Sequence, residues 1–381
     1  MIGFGIRSVF GLFVEPMSAD RGWNRETIAL AFAIQNLLWG IGVPIAGAIN
    51  DKYGPTKVIG AGAIIYAIGT WGINNAESAL ALHLFAGIVV GIGVAFTAFS
   101  LAMAAMAKVV GPEKRSLALG LGTAAGSLGQ VVFSPTTQAL INNYGWNDSL
   151  TILALVTLFM IPLAMILPNV TSSPAEQLHE DQTLREALSE ALGHRGYLLL
   201  TIGFFVCGFH VSFITVHFPA FVVSVGLEAE VGAYAIAIVG LFNIAGSFAA
   251  GAVGQRFSKS YSLSCIYAAR SVVILWLIFA PMTNTTIYLF SALMGILWLS
   301  TVPLTTGIVA QVFGVRYMAT LFGIVFLSHQ IGSFLGVWLG GRIFDATGSY
   351  DGMWWAGIAF GIFAAIVHLP INEKPLARLA Q

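Results

Sequence analysis

"GAINDKYG" (47–54) has an altered second copy in "GAVGQRFS" (251–258), and this pair of stretches decides how the chain is organised. A longer pair shows nearly the same separation, because "GLGTAAGSLGQ" (120–130) matches "GIVFLSHQIGS" (323–333). Each match is weak alone. Several matches at nearly one offset indicate a duplicated unit, so we predict two related halves.

The composition places both halves in a membrane. The chain is 57% hydrophobic and 9% charged, whereas a soluble domain is about 25% charged. A spanning helix needs roughly 20 mostly apolar residues. Twelve such segments can be counted, at 1–18, 27–49, 57–75, 79–107, 116–142, 147–167, 197–224, 231–254, 261–280, 285–312, 319–343 and 352–371.

The predicted fold class is therefore an all-α membrane protein with twelve transmembrane helices in two pseudo-symmetric six-helix bundles. Residues 1–167 would form the N-terminal bundle and residues 197–381 the C-terminal bundle. The polar stretch 168–196 would join them. Within it, Thr183 and Glu186 form a capping-box pattern that predicts a short amphipathic helix. This helix would lie on the inner membrane surface or on the cytoplasmic ends of the bundle, and a linker without fixed structure is the alternative.

The distribution of Lys and Arg predicts the orientation. These residues concentrate in the loops of one face, and the loops of the other face hold only Arg21, Arg25 and Arg342. Because cytoplasmic loops carry the excess of Lys and Arg, both termini are predicted to be cytoplasmic. We expect a monomer that crosses the cell (inner) membrane many times. The 17 basic and 17 acidic residues cancel, so no basic surface favours a nucleic-acid partner.

The loop "GAINDKYGPTK" (47–57) resembles the signature loop of the major facilitator superfamily, and "GAVGQRFSK" (251–259) resembles a degenerate copy. The resemblance covers the whole chain and implies membrane transport by alternating access. It implies a gating loop in which glycine allows helices to approach closely and aspartate latches helix ends. The alternative is that the loop only fixes topology. The residues of this loop and its copy are Gly47, Asp51, Gly54 and Arg256, and Gly54 with Pro55 is expected to make the tight turn.

Two further stretches resemble the monocarboxylate-transporter and oxalate/formate-exchanger branch. "GPEKRSLALGLGTAAGSLG" (111–129) resembles its fifth helix, and "IRSVFGLFVEP" (6–16) resembles its first helix, with Arg7 at the position of a lysine. The resemblance implies a small organic anion as substrate, such as the monocarboxylate lactate. The departures are Asn243 in a helix eight without charge, and His329 where the exchanger has a lysine. Helix four lacks the arginine typical of drug antiporters, which argues against drug efflux.

Arg7 is the principal candidate for binding the anion. An arginine at the bilayer centre costs at least about 2.5–3.5 kcal/mol, so it must face water, a partner or a ligand. One guanidinium can hold a carboxylate through two parallel hydrogen bonds. A structural pair, or snorkelling to the interface, is the alternative. Glu15, nearer the outer mouth, is a candidate proton acceptor or gate residue, with a carboxylate that merely lies at the interface as the alternative, and Asn36 on helix two could complete the site.

The histidines supply further candidates. Aligning the halves places His210 opposite Arg7, so we expect both to face the central axis. His210 and His217 could carry a proton, because histidine titrates near neutral pH. His329 and Gln330 could meet the anion from the second half, although a bond to nearby backbone is the alternative for His329. Arg270, on a peripheral helix, is interpreted as structural, either bonded to a carbonyl or reaching inward toward helix eight, with Asn243 as a possible helper.

No motif for a hydrolase, a nucleotide site or a metal site is present, so neither an enzyme nor a cofactor is expected. Transport would draw energy from an ion or solute gradient. The favoured reading is proton-coupled symport of a monocarboxylate. A proton-independent anion exchanger, and a ligand sensor that transports nothing, remain as alternatives.

Overall fold

The computed structural model describes residues 1–98, 101, 112–167, 182–314 and 317–379. The described elements are helices, and twelve of them, named α1 to α12, cross the expected membrane. Those of the first half are α1 (Ile2–Ser8, a 3₁₀ turn Phe10–Phe13 and Val14–Arg21), α2 (Arg25–Tyr53), α3 (Pro55–Asn74), α4 (Ala79–Leu82, a π-helical stretch His83–Val89 and Val90–Phe96), α5 (112–144) and α6 (146–165).

The second half repeats the plan after a linker helix at Leu184–Gly193. Its helices are α7 (Arg195–Ser224), α8 (Ala229–Arg256), α9 (Lys259–Phe279), α10 (Asn284–Leu297 and Thr301–Phe313), α11 (Met318–Thr347) and α12 (Asp351–His368). The predicted all-α, twelve-helix class is confirmed.

Within the described residues, ten helical runs are long and apolar enough to cross a membrane. One of them, Ala125–Met165, contains both α5 and α6. These two join at Gly145, whose φ of +78° turns the chain without a loop. The remaining helix, α1, does not meet the length criterion for a spanning helix, because a 3₁₀ turn divides it into shorter pieces. The predicted span 1–18 is therefore present but irregular.

Two capping signals act where they were predicted. Gly54 ends α2 with a φ of +83°, and Pro55 opens α3 at its first turn. The Thr183 side chain accepts the backbone N–H of Glu186, while the Glu186 carboxylate accepts the backbone N–H of Thr183. This capping box confirms the linker helix. The residues 168–181 of the predicted linker lie outside the described part of the chain.

The linker helix packs against the end of the second half. Ala187 and Ala191 are buried, and Glu190 pairs with Arg378 at 3.0 Å. The hydroxyl of Tyr317 donates to the carbonyl of Gln182 at 3.0 Å. The linker helix therefore occupies the second of its two predicted positions, on the ends of the bundle.

The halves meet along three seams, where α1 packs on α7, α2 on α11, and α5 on α8. We name the face with the α1–α2 connection the outer face and the opposite one the inner face. The core of the first half extends into the second through Val216, Ala220, Ala233 and Val337. All four lie in the outer parts of their helices, so the seams are packed on the outer side.

Candidate binding site

Arg7 lies at the seam between the halves, on the first segment of α1. It is 9% exposed. Its Nη2 donates to the side-chain carbonyl of Asn36, and its guanidinium carbon lies 4.5 Å from the centroid of the Trp39 ring. Its buried Nε has no hydrogen-bond partner among the described residues. The guanidinium is thus held in place by α2 and keeps donors for a further acceptor.

The second half reaches this arginine through Gln330. Gln330 Nε2 donates to the backbone carbonyl of Asn36 at 2.9 Å. Its Oε1 lies 2.8 Å from Nδ1 of His329, whose ring stacks on Phe326 with centroids 5.5 Å apart. Arg7, Asn36, Gln330 and His329 therefore form one continuous chain of contacts across the α2–α11 seam. All four residues were predicted from the sequence, whereas Trp39 was not among the candidates.

His210 is not part of this chain. Its Nε2 donates to the carbonyl of Gly357 on α12 at 2.8 Å, so the side chain faces the interior of the second half. The prediction that Arg7 and His210 both face the central axis is wrong for His210. Aligning the repeats gives the depth of a residue, whereas the rotation of α7 about its axis decides which neighbour the residue meets.

Arg270 stabilises an interruption in α10. It is fully buried and donates to the carbonyls of Leu297 and Trp298, which end the first segment of α10. A cation at the carboxyl end of a helix is favoured by the helix dipole. Asn243 accepts the backbone N–H of Leu299 at 2.9 Å. The predicted structural role of Arg270, bonded to carbonyls with help from Asn243, is confirmed.

Glu15 pairs with a residue that sequence analysis used only to orient the chain. Arg25 Nη2 lies 2.5 Å from Glu15 Oε2. Arg25 Nη1 donates to the hydroxyl of Tyr350 at 3.0 Å, and the guanidinium carbon lies 3.6 Å from the centroid of Phe344. Since Arg25 belongs to the first half and Tyr350 to the second, this guanidinium joins the halves at the outer face.

Two further contacts complete this group. Asp345 accepts the backbone N–H groups of Arg25 (3.1 Å) and Glu26 (2.6 Å), so it caps the N-terminus of α2 from the other half. His217 Nε2 donates to the carbonyl of Val337 at 2.7 Å. Its Nδ1 lies 3.2 Å from the Tyr350 hydroxyl and accepts a hydrogen bond from it. The outer cluster comprises Glu15, Arg25, His217, Asp345 and Tyr350.

A signal for this cluster was present in the sequence. Arg25 and Asp345 carry opposite charges and sit at the same face, at the start of helix two and the end of helix eleven. Pairing them needed the knowledge that these two helices touch.

The gating loop is seen in part. A Cβ added to Gly47 would meet no described residue within 4 Å, so the predicted close approach at Gly47 is not seen in the part of the chain that the structure describes. The side chain of Asp51 lies outside the described part of the chain. Arg256 is the exposed last residue of α8. Gly54 turns the chain as predicted.

The α2–α11 seam is packed from its outer side to the level of Trp39 and Gly40. Gly40 packs on Gln330, and Gly341 packs on Arg25 and Ala29. One turn inward from Gly40, on the same face of α2, Pro44 is exposed. The outer part and the middle of this seam are therefore packed in this structure. Among the described residues, no group of His, Cys, Asp and Glu is arranged to hold a metal ion.

Two related helical halves around a polar seam define a multi-pass membrane transporter. The chain belongs to the Major Facilitator Superfamily, whose sequence profile matches residues 1–337. Monocarboxylate transporter 13 of Rattus norvegicus is 24% identical over 353 residues, which cover 91% of this chain and 80% of that protein. YcxA of Bacillus subtilis, an uncharacterized MFS-type transporter, is 24% identical over 380 residues, which cover 98% of this chain and 92% of that protein.

Solved structures share the fold. A bacterial homologue of the human lysosomal transporter Spinster, in an inward-facing and unoccupied conformation, matches with a TM-score of 0.75 and 15% identity over 96% of this chain and 93% of that one. A D-xylose–proton symporter matches with a TM-score of 0.72 and 14% identity over 98% and 97% of the two chains.

Proposed function

We propose that this protein is a secondary active transporter that moves a small monocarboxylate, such as lactate, together with a proton. The observation that carries the proposal is Arg7. Its guanidinium is buried at the seam, and the described residues that contact it are an amide and an indole rather than a carboxylate. A buried cation without a counter-charge is costly in a membrane, and a substrate carboxylate would supply that charge.

The neighbours of Arg7 fit this role. Asn36 and Trp39 hold the guanidinium, leaving donors for a carboxylate that accepts two parallel hydrogen bonds. Gln330 and His329 approach from the second half. A ligand held by both halves would favour the conformation in which they meet around it, which is the requirement for alternating access. Two relatives named monocarboxylate transporters support the same class of substrate.

Glu15 and His217 are the proposed carriers of the proton. A proton that travels with a monocarboxylate leaves the loaded carrier nearly neutral as it crosses the membrane, which lowers the cost of desolvation. His210, bonded to α12, has no part in this scheme. We place both termini in the cytoplasm and the outer face outside the cell. The loop with Gly47 and Asp51 would then latch the inner ends when the outer face opens.

The test is transport by the purified protein in liposomes. Uptake of labelled lactate is measured with and without an inward proton gradient, and we expect accumulation driven by that gradient. Arg7→Ala should abolish lactate binding while the protein stays folded by circular dichroism. Arg342→Ala, which removes a surface arginine 59% exposed, is the matched control and should keep transport. Uptake only against internal anion would indicate exchange, and absence of flux for any monocarboxylate would refute the proposal.

A further inference from the structure

We propose that Arg25 is the coupling residue of this transporter: its hydrogen bond to Tyr350 latches the outer face, its ion pair with Glu15 within the first half holds the guanidinium in place, and a proton from outside releases the latch by neutralising Glu15. This inference rests on the proton coupling proposed above. It assigns a role to an arginine and a cluster that take no part in binding the substrate.

The geometry makes Arg25 the centre of the latch. Its side chain is 9% exposed, and its guanidinium contacts Glu15 on α1 and Tyr350 beside α12. The hydrogen bonds run in one direction, from Arg25 to Tyr350, from Tyr350 to His217, and from His217 to the carbonyl of Val337. Every link beyond Arg25 belongs to the second half, so the charge of Arg25 holds the two halves together.

Glu15 is the member of the cluster that a proton from outside can reach. Its side chain is 43% exposed. It lines a cleft of about 210 Å³ between the halves, together with Gln138 on α5, Pro219 and Ala220 on α7, and Ala229 at the start of α8. Arg25 lies behind it and is shielded. The carboxylate therefore stands between the outer solution and the buried cation.

The other titratable groups that face Arg25 are less suited to the release. The Asp345 carboxylate accepts two backbone N–H groups, and these hydrogen bonds do not depend on the charge of the Arg25 side chain. His217 is fully buried, and both its ring nitrogens are occupied. Glu26 Oε1 lies 3.9 Å from Arg342 Nη1, and it accepts a hydrogen bond from Trp338 Nε1 at 3.1 Å.

Protonating Glu15 leaves a buried guanidinium without its carboxylate. A buried charge stripped of its partner is strongly unfavourable, and opening the outer face to water would relieve it. Across the cleft, Asn142 and Glu230 form a second outer contact, at 2.6 Å, between α5 and α8. Glu230 is the charged member of that contact, and the contact does not depend on the ion pair between Glu15 and Arg25.

Thiol labelling of the outer cleft tests the latch. Ala220, 2% exposed, is changed to cysteine in a Cys265→Ser background, and buried Cys207 alone serves as the blank. The rate of reaction with a membrane-impermeant maleimide is measured in oriented proteoliposomes. We expect labelling to quicken as the outer pH falls from about 7.5 to about 4, because free carboxyl groups ordinarily titrate near pH 4.

The decisive variants are Glu15→Gln and Arg25→Ala. Each should label about tenfold faster than the parent at neutral pH, the change expected from loss of one charge-assisted hydrogen bond. Glu15→Gln should also abolish the pH dependence. The matched controls Asp20→Asn and Arg21→Ala alter an ion pair whose described contacts, to Asn74 and Trp146, stay in the first half, and they should leave labelling unchanged.

Two results would overturn the latch. One is pH-independent labelling of the parent, and the other is pH dependence that survives in Glu15→Gln but disappears in Asp345→Asn. Arg7→Ala separates this inference from the proposed function. It should lose lactate transport while keeping pH-dependent labelling, so failure of the anion anchor and failure of the latch give different results.

Discussion

Two glycines should control how often the outer face opens. Gly11 on α1 packs against the carbonyls of Thr215 and Val216 on α7, and a Cβ at Gly11 would lie 2.7 Å from the Val216 oxygen. A Cβ at Gly341 on α11 would lie 2.7 Å from the carbonyl oxygen of Arg25. Both close approaches join different halves, so alanine at either position should prevent the outer seams from closing fully.

The size of the effect follows from the packing. Inserting one methyl group into a well-packed contact costs typically about 1–3 kcal/mol. Here the cost falls only on the outer-closed state, because separation of the halves removes both contacts. A difference of that size shifts a two-state equilibrium about 5- to 150-fold. Gly11→Ala and Gly341→Ala should therefore populate a conformation open at the outer face.

Spin labels report this shift directly. Labels at Glu77 and Asn284, exposed residues at the outer ends of the two halves, give a distance distribution by pulsed dipolar spectroscopy. Both variants should add a longer distance. Gly352→Ala is the control, since its Cβ would meet only Ile343 of the same half at 3.5 Å. An unchanged distribution in both variants would refute the assignment of these seams as the closed gate.

Three further predictions use binding, stability and pH. Arg7→Lys keeps the charge but loses the two-pronged geometry, so the Kd for lactate should rise about tenfold or more in calorimetry; an unchanged Kd would contradict the proposed anchor. Arg270→Gln should lower the melting temperature, with a loss of about 1–3 kcal/mol, and leave the KM of transport unchanged, which uptake assays check. Partial burial opposes ionisation of Glu373, but hydrogen bonds from Ser258 Oγ and neighbouring backbone outweigh it and lower its pKa. The C-terminal tail should therefore stay docked above that pKa and detach as pH falls through it; hydrogen exchange of 372–379 should show this, and Ser258→Ala should weaken docking.

The twelve-helix plan was predictable because hydropathy and an internal repeat both report it. The positions where the backbone departs from a straight helix were not predicted. The 3₁₀ turn at Phe10–Phe13 and the break between Leu297 and Thr301 lie in apolar sequence. Hydropathy counts apolar length and is insensitive to such breaks. At the second one, the buried charge of Arg270 was the available clue, since unpaired carbonyls at a helix end attract a cation.

The candidate site was predictable to a similar extent. Arg7, Asn36, Gln330 and His329 were expected near the substrate, and they do form one chain of contacts. His210 was misplaced, because matching two repeats does not fix the rotation of a helix. The outer cluster joins residues 320 positions apart, Arg25 and Asp345. Only knowledge of which helices form the seams could have paired them.

Simultaneous measurement of lactate and proton movement tests the central claim most directly. Proteoliposomes containing a pH-sensitive dye receive external lactate while the membrane voltage is clamped with potassium and valinomycin. The account predicts that the interior acidifies as lactate enters, and that Arg7→Ala shows neither lactate entry nor acidification beyond empty liposomes. Lactate entry without acidification, or unchanged acidification in Arg7→Ala, would contradict it.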